Sequence, residues 1–122
     1  VPNGAWYPGI KATGEASFET GYVAKYGGSA SEINSDTAQS YSVMQVLEQA
    51  VNKTNSVDNA KLMDELRTDT FQTLQGPVKF TSDGQNSLAV AFLYQWQKGT
   101  IVPVFPPQAA QADPEYPKPM WP

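Results

Sequence analysis

The sequence predicts a mixed α/β fold, and three observations predict it. Apolar residues recur at spacings of three and four in three separate stretches between Glu15 and Arg67. A later run, Leu88 to Trp96, instead alternates with the period of a strand. Glycine, proline and short polar runs punctuate the chain between these stretches.

Taken in order, the first segment to Gly14 holds Pro2, Gly4, Pro8 and Gly9 and reads as loop, with Ala5-Trp6-Tyr7 as the end of a strand. From Glu15 to Tyr26, Phe18, Tyr22 and Tyr26 recur every fourth residue with Val23 beside them. That spacing predicts a helix whose Glu15 and Glu19 suit the positive end of its dipole, stopped by Gly27-Gly28.

After the polar SASEINSD comes the strongest helical pattern, Asp36 to Lys53. Tyr41, Met44, Leu47 and Val51, flanked by Val43, Val46 and Ala50, form its expected wide buried face, and Ser35 or Asp36 can cap it. A third helix is expected over Asp58 to Arg67, with Ser56 as cap. Thr70 to Leu74 reads as a turn around a buried Phe71.

Val78 and Phe80 face one way across Lys79, and Asp83-Gly84 makes a turn. Leu88 to Trp96 then reads as a strand covered on both faces, because its even and odd positions are both largely apolar. Gln97-Lys98-Gly99-Thr100 turns the chain into a strand over Ile101 to Phe105, which Pro103 keeps at an edge or at a break in pairing. The tail holds six of the ten prolines and is expected to be extended, laid on the surface through Tyr116 and Trp121.

Composition narrows the chemistry. At 122 residues the chain is one domain's length, and its formal charge of −4 with a single arginine, Arg67, argues against binding nucleic acid or an anionic membrane. With neither cysteine nor histidine there can be no thiolate nucleophile, no disulfide, no His-based triad and no Cys/His zinc site. Asp64, Glu65 and Asp69 are interleaved with Lys61 and Arg67 and read as a solvated helix face, not a catalytic carboxylate pair. Asn52-Lys53-Thr54 matches a glycosylation sequon, a triplet that arises often by chance, and Asp83-Gly84 lacks the other ligands of a calcium loop. No metal or cofactor is expected.

One cluster is of more interest. Asp36, Thr37, Gln39, Ser40 and Tyr41 gather at a helix start, where free N–H groups favour an anion. Two readings stay open: these residues line a small-molecule pocket, or they are caps ahead of a buried stripe that Tyr41 begins.

The order of motifs adds a resemblance. Phe18 through Tyr26-Gly27 resembles the F…Y…YG helix end of bacterial solute-binding proteins of the branched-chain amino acid type. Gln39 to Leu47 resembles their helix with an early Tyr and a later VL. Leu66-Arg67, Phe71-Gln72-Thr73 and Leu74 to Phe80 resemble the family's LR…F.T..GPV.F passage, with Asp83-Gly84 following. Phe92 to Gln97 is similar to its late QW strand, Val102-Pro103-Val104 to its closing strand, and Tyr116 to Trp121 to some members' tails.

The resemblance implies the C-terminal third of a two-lobed type I periplasmic-binding-protein fold, delivering a ligand to an ABC importer. Residues 1–86 would belong to one lobe; 87–122 would supply a hinge crossover, strands of the second lobe and the Pro-rich tail. It implies binding without catalysis, in a bacterial periplasmic or extracellular protein, lipoprotein or secreted. Its ligand would be an amino acid or an aromatic or other small carboxylate. Its partners would be an ABC transporter permease and the remaining N-terminal part, as a separate chain or lost. Carried over to this chain, the ligand-binding positions are Trp6, Tyr7, Asp36, Thr37, Gln39 and Tyr41. Asp36-Thr37 departs from the apolar or aromatic residues that the family often places there.

Two other classes compete: a sensor or regulator domain of the same fold, and a structural or interaction module working through exposed strands and the tail. A preceding export signal would favour the importer, a fused DNA-binding or kinase segment the sensor, and a self-sufficient monomer the module. Apolar faces in excess of what three helices and three short strands can cover are expected to meet another chain or another copy.

Overall fold

A computed structural model describes residues 6–117 and 120. Helix α1 spans Glu15–Tyr26, a 3-10 turn covers Ala30–Glu32, α2 spans Ser35–Thr54 and α3 spans Asn59–Thr68. Two antiparallel hairpins follow: β1 (Phe71–Thr73) with β2 (Gly76–Val78), and β3 (Leu93–Gln97) with β4 (Thr100–Phe105). The mixed α/β class expected from the sequence is what forms. The expected Ala5 strand end and the Trp121 contact lie outside the described residues.

The helix limits follow from their caps. Gly14, at φ 85°, precedes α1 in a left-handed turn, and a Cβ there would meet the Gln45 amide nitrogen at 3.1 Å. Only glycine enters such a turn without strain. Asn34 caps α2, and Asp58 caps α3 by accepting from the Lys61 N–H at 3.1 Å. The caps are therefore not the expected Ser35, Asp36 and Ser56. Ser56 Oγ instead accepts from the Asp58 N–H.

Helix α2 buries only part of the expected face, its Val46 and Ala50, and leaves Tyr41, Met44 and Leu47 exposed. Ala38, Ser42, Val46 and Ala50 face inward, while Val43 and Met44 are 61% and 60% exposed. The inward row is small-sided, so the helix approaches the β1–β2 hairpin closely, and two glutamines on that side fix it. Gln49 bonds both the N–H and the C=O of Gln72, at 3.0 and 2.9 Å. Gln45 accepts from the Leu74 N–H at 2.8 Å and donates to the Thr13 carbonyl at 3.2 Å. These side-chain amides occupy the outer edge of β1, as a neighbouring strand would. Hydrogen bonding to this edge, not apolar area, sets the rotation of α2.

Two apolar clusters result. One gathers Trp6, Ile10, Phe18, Ile33, Ala38 and Leu74; the other gathers Val46, Ala50 and Phe71 with Leu62, Leu66, Val78 and Phe80 around them. Phe71 is buried as expected, but within a strand and not a turn.

The long strand expected over Leu88 to Trp96 is shorter and shifted. Its partner β4 reaches only to the Leu93↔Phe105 pair, after which Pro106 leaves the ladder. Among the described residues, 88–92 therefore have no strand beside them to pair with, whatever their alternation. Nor is the strand covered on both faces: Leu93 and Trp96, on opposite faces, are 61% and 62% exposed. Pro103 sits beside the register shift between Leu93 and Tyr94, as an imino acid in a ladder must.

The tail does return to the surface, though not through Tyr116, which is 94% exposed. Gln95 bonds the Glu115 C=O and N–H at 2.8 Å each, and Gln97 donates to the Asp113 carbonyl at 2.7 Å. No helix among the described residues is long and apolar enough to cross a membrane.

Candidate functional site

The start of α2 is built by Asn34. Its Oδ1 accepts from both the N–H and the hydroxyl of Thr37, at 2.8 and 2.9 Å. One turn on, Ser40 Oγ donates to the Asp36 carbonyl at 2.9 Å. Asp36 and Gln39 are exposed on this first turn, and Tyr41 is 43% exposed beside it. Tyr41 does not begin a buried stripe.

Thr37 and Tyr41 instead wall an open groove of about 510 Å³ between α1 and α2. Facing them on α1 are Phe18, Tyr22, Lys25 and Tyr26. Repeating at every fourth residue, the α1 aromatics stand one above another on one helix face. Tyr22 and Tyr26 lie 4.8 Å apart between ring centroids, and Phe18 meets the Tyr41 ring at 4.9 Å. The tilted pairs are within the range of favourable aromatic contacts. Lys25 Nζ lies 5.4 Å from the Tyr26 centroid and is the one charged residue among the described residues of the lining.

Trp6 and Tyr7 stand elsewhere. Trp6 is 3% exposed, meets Phe18 edge-on at 5.9 Å, and gives its indole N–H to Glu15 Oε2 at 2.8 Å. It reaches the groove only through Phe18. Tyr7 packs edge-on against Phe92 at 5.5 Å and Tyr94 at 6.2 Å, which ties the first loop to the β3–β4 hairpin. The structure thus brings together Thr37 and Tyr41, sets Asp36 and Gln39 on the same helical turn, and keeps Trp6 and Tyr7 apart from all four.

Of the lining, only Thr37 and Tyr41 belong to the expected set; the α1 residues Phe18, Tyr22, Lys25 and Tyr26, and Met44 on α2, are among those outside it. The every-fourth-residue aromatic spacing marks Tyr22 as part of one helical face, and the spacing of Met44 implies burial that the structure does not give it; Lys25 carried no signal. Electrostatically the groove has no acidic side chain among the described residues that line it. Two of the three carboxylates considered for catalysis share one lysine away from the groove: Lys53 pairs with Glu65 at 3.0 Å and also with Asp69. The Lys53 hydrogen bond, helped by the Thr70 N–H, holds the Asp69 carboxyl down at about 2. Such a group stays ionised and is poorly suited to proton transfer near neutral pH.

An aromatic-walled groove beside a capped helix start, without paired acids, suits reversible binding of a small molecule. A family model described as periplasmic binding protein matches residues 2–100, from the first loop through the β3–β4 turn. That match spans the groove, both apolar clusters and both hairpin turns. The chain belongs to the periplasmic binding protein family, whose members bind solutes and act in the periplasm or outside the cell.

Proposed function

We propose that this chain works in the substrate-binding component of an ABC importer, holding a small amino acid or carboxylate between two lobes. On this reading, residues 1–86 contribute to one ligand-binding lobe. Residues 87–122 form the crossover, strands of the second lobe and the tail, and the rest of the cleft comes from a further part of the protein. Closure around the ligand would present the form that the permease recognises, since a ligand shifts a hinge equilibrium by its preference for one state. Members of the family typically bind without chemical change, and no catalytic role is assigned to any residue.

The observation that carries the reading is the solvent-open wall made by Thr37 and Tyr41 in a chain of this family. Asp36 and Gln39, exposed at the start of α2 and outside the groove's lining, are proposed to border the ligand from there. Trp6 and Tyr7 are proposed to act on the ligand from behind, Trp6 by seating Phe18 and Tyr7 by fixing the loop to the hairpin.

The experiment is a thermal-shift screen of amino acids and small carboxylates against the protein and its Tyr41→Ala variant. A ligand at 100 times its Kd should stabilise by about 2.7 kcal/mol, visible as a rise of several degrees in Tm. That rise should shrink or vanish in Tyr41→Ala. A flat response across the whole screen removes the reading.

A further inference from the structure

We propose that the groove between α1 and α2 takes an aromatic carboxylate that carries no amino group. The inference rests on the ligand-binding reading above and names the chemical class.

The walls come first. Tyr22, Tyr26 and Tyr41 offer ring faces at the groove, with Tyr26 and Tyr41 65% and 43% exposed, and Met44 adds a flexible apolar contact. Tyr22 and Tyr26, and Phe18 and Tyr41, already pack against each other at centroid distances near 5 Å, so a flat guest would lie on their outward surfaces and not between them. Thioether sulfur is equally suited to a ring edge. A groove of about 510 Å³ accommodates a single substituted ring.

The polar groups then select among flat guests. Thr37 and Ser40 both line the groove, yet each hydroxyl proton is already committed, to Asn34 Oδ1 and to the Asp36 carbonyl. These oxygens can accept from a guest but have no proton left for a carboxylate. Lys25 is therefore the groove's charged donor, and in a chain of net charge −4 it makes a local site for an anion. An α-ammonium group would find no acidic side chain in the lining, while Lys25 would repel it. The arrangement discriminates against free amino acids and in favour of a simple aryl acid.

The test uses the protein carrying 13C-methyl methionine, in which Met44 reports on the groove and Met63, on α3, serves as reference. Benzoate, cyclohexanecarboxylate, benzyl alcohol and phenylalanine are titrated in turn. Benzoate should shift the Met44 methyl saturably and leave Met63 in place, and each of the other three should bind at least tenfold more weakly. Lys25→Gln should weaken benzoate at least tenfold and Lys25→Arg should restore it; Lys25 is exposed, so neither variant threatens the fold. Equal binding by Lys25→Gln, phenylalanine as tight as benzoate, or a still Met44 methyl would each overturn the inference. Amino-acid binding detected by thermal shift with Met44 unmoved would sink it while leaving the ligand-binding reading intact. No response by either method would remove both.

Discussion

Trp6 Nε1 donates to Glu15 Oε2 at 2.8 Å, a bond between the first loop and the first residue of α1, formed beneath the surface. The other Glu15 oxygen accepts from the Gly9 N–H at 3.3 Å, and Glu19 accepts from that same N–H at 2.8 Å. Two carboxyl groups thus converge on one loop.

Burial, followed by the neighbouring Glu19, pushes the Glu15 carboxyl up to about 7 from its ordinary 4.5, against the opposing hydrogen bonds from Trp6 and Gly9. A raised carboxyl pKa means that the folded chain holds its proton where the unfolded chain has lost it. This contribution to stability is fully present below about 4.5 and is lost as pH rises through about 7. Tm measured from pH 4.5 to 8 should show that decline. Glu15→Gln, which keeps an acceptor for Trp6, should flatten it and raise Tm at pH 8. An unchanged pH profile in the variant would contradict the assignment.

Phe71 is 2% exposed and anchors the second apolar cluster under Val46 and Ala50. Phe71→Ala should cost about 3–5 kcal/mol in denaturant unfolding, from lost transfer energy and the cavity left behind. A loss below about 1 kcal/mol would mean that the cluster collapses onto the vacancy, or contributes little.

Gln45→Leu keeps the bulk of the side chain but strands the N–H of Leu74, a fully buried residue. The expected cost is about 1–3 kcal/mol, the penalty for a buried donor without a partner. Gln49→Leu should cost less, since Gln72 is exposed and water can replace the amide. Equal losses for the two variants would show that burial does not govern the difference.

Gln95→Leu removes both hydrogen bonds that hold the Glu115 backbone against β3. Faster amide exchange at Glu115, and earlier proteolytic cleavage after about residue 110, should follow without a change in the helical circular dichroism signal. Unaltered exchange would mean that the Gln97 to Asp113 bond alone suffices.

Local physics was readable along the chain and long-range pairing was not. Glu15–Tyr26 begins and ends where its spacing and Gly27 imply, and the Lys98-Gly99 turn falls where expected, because caps and turns depend on neighbours in sequence. The strand expected from Leu88 fails for the opposite reason: its length is set by where β4 ends, a fact held elsewhere in the chain. The rotation of α2 was hidden because Gln45 and Gln49 look like surface residues until the edge of β1 is placed beside them. At the candidate site, the chemistry of Thr37 and Tyr41 was legible from their position at a helix start. Lys25 was not, since only the packing of α1 on α2 gives a surface lysine a facing wall.

Helix α2 takes part in both apolar clusters, with Ala38 in one and Ala50 in the other. From Thr37 to the Lys53 ion pairs it runs about 24 Å at the usual helical rise. A stiff rod of that length works as a lever: a small tilt imposed at its groove end becomes a larger sideways travel near Lys53. A spin label or dye attached there would register solute capture from well outside the place where the solute sits.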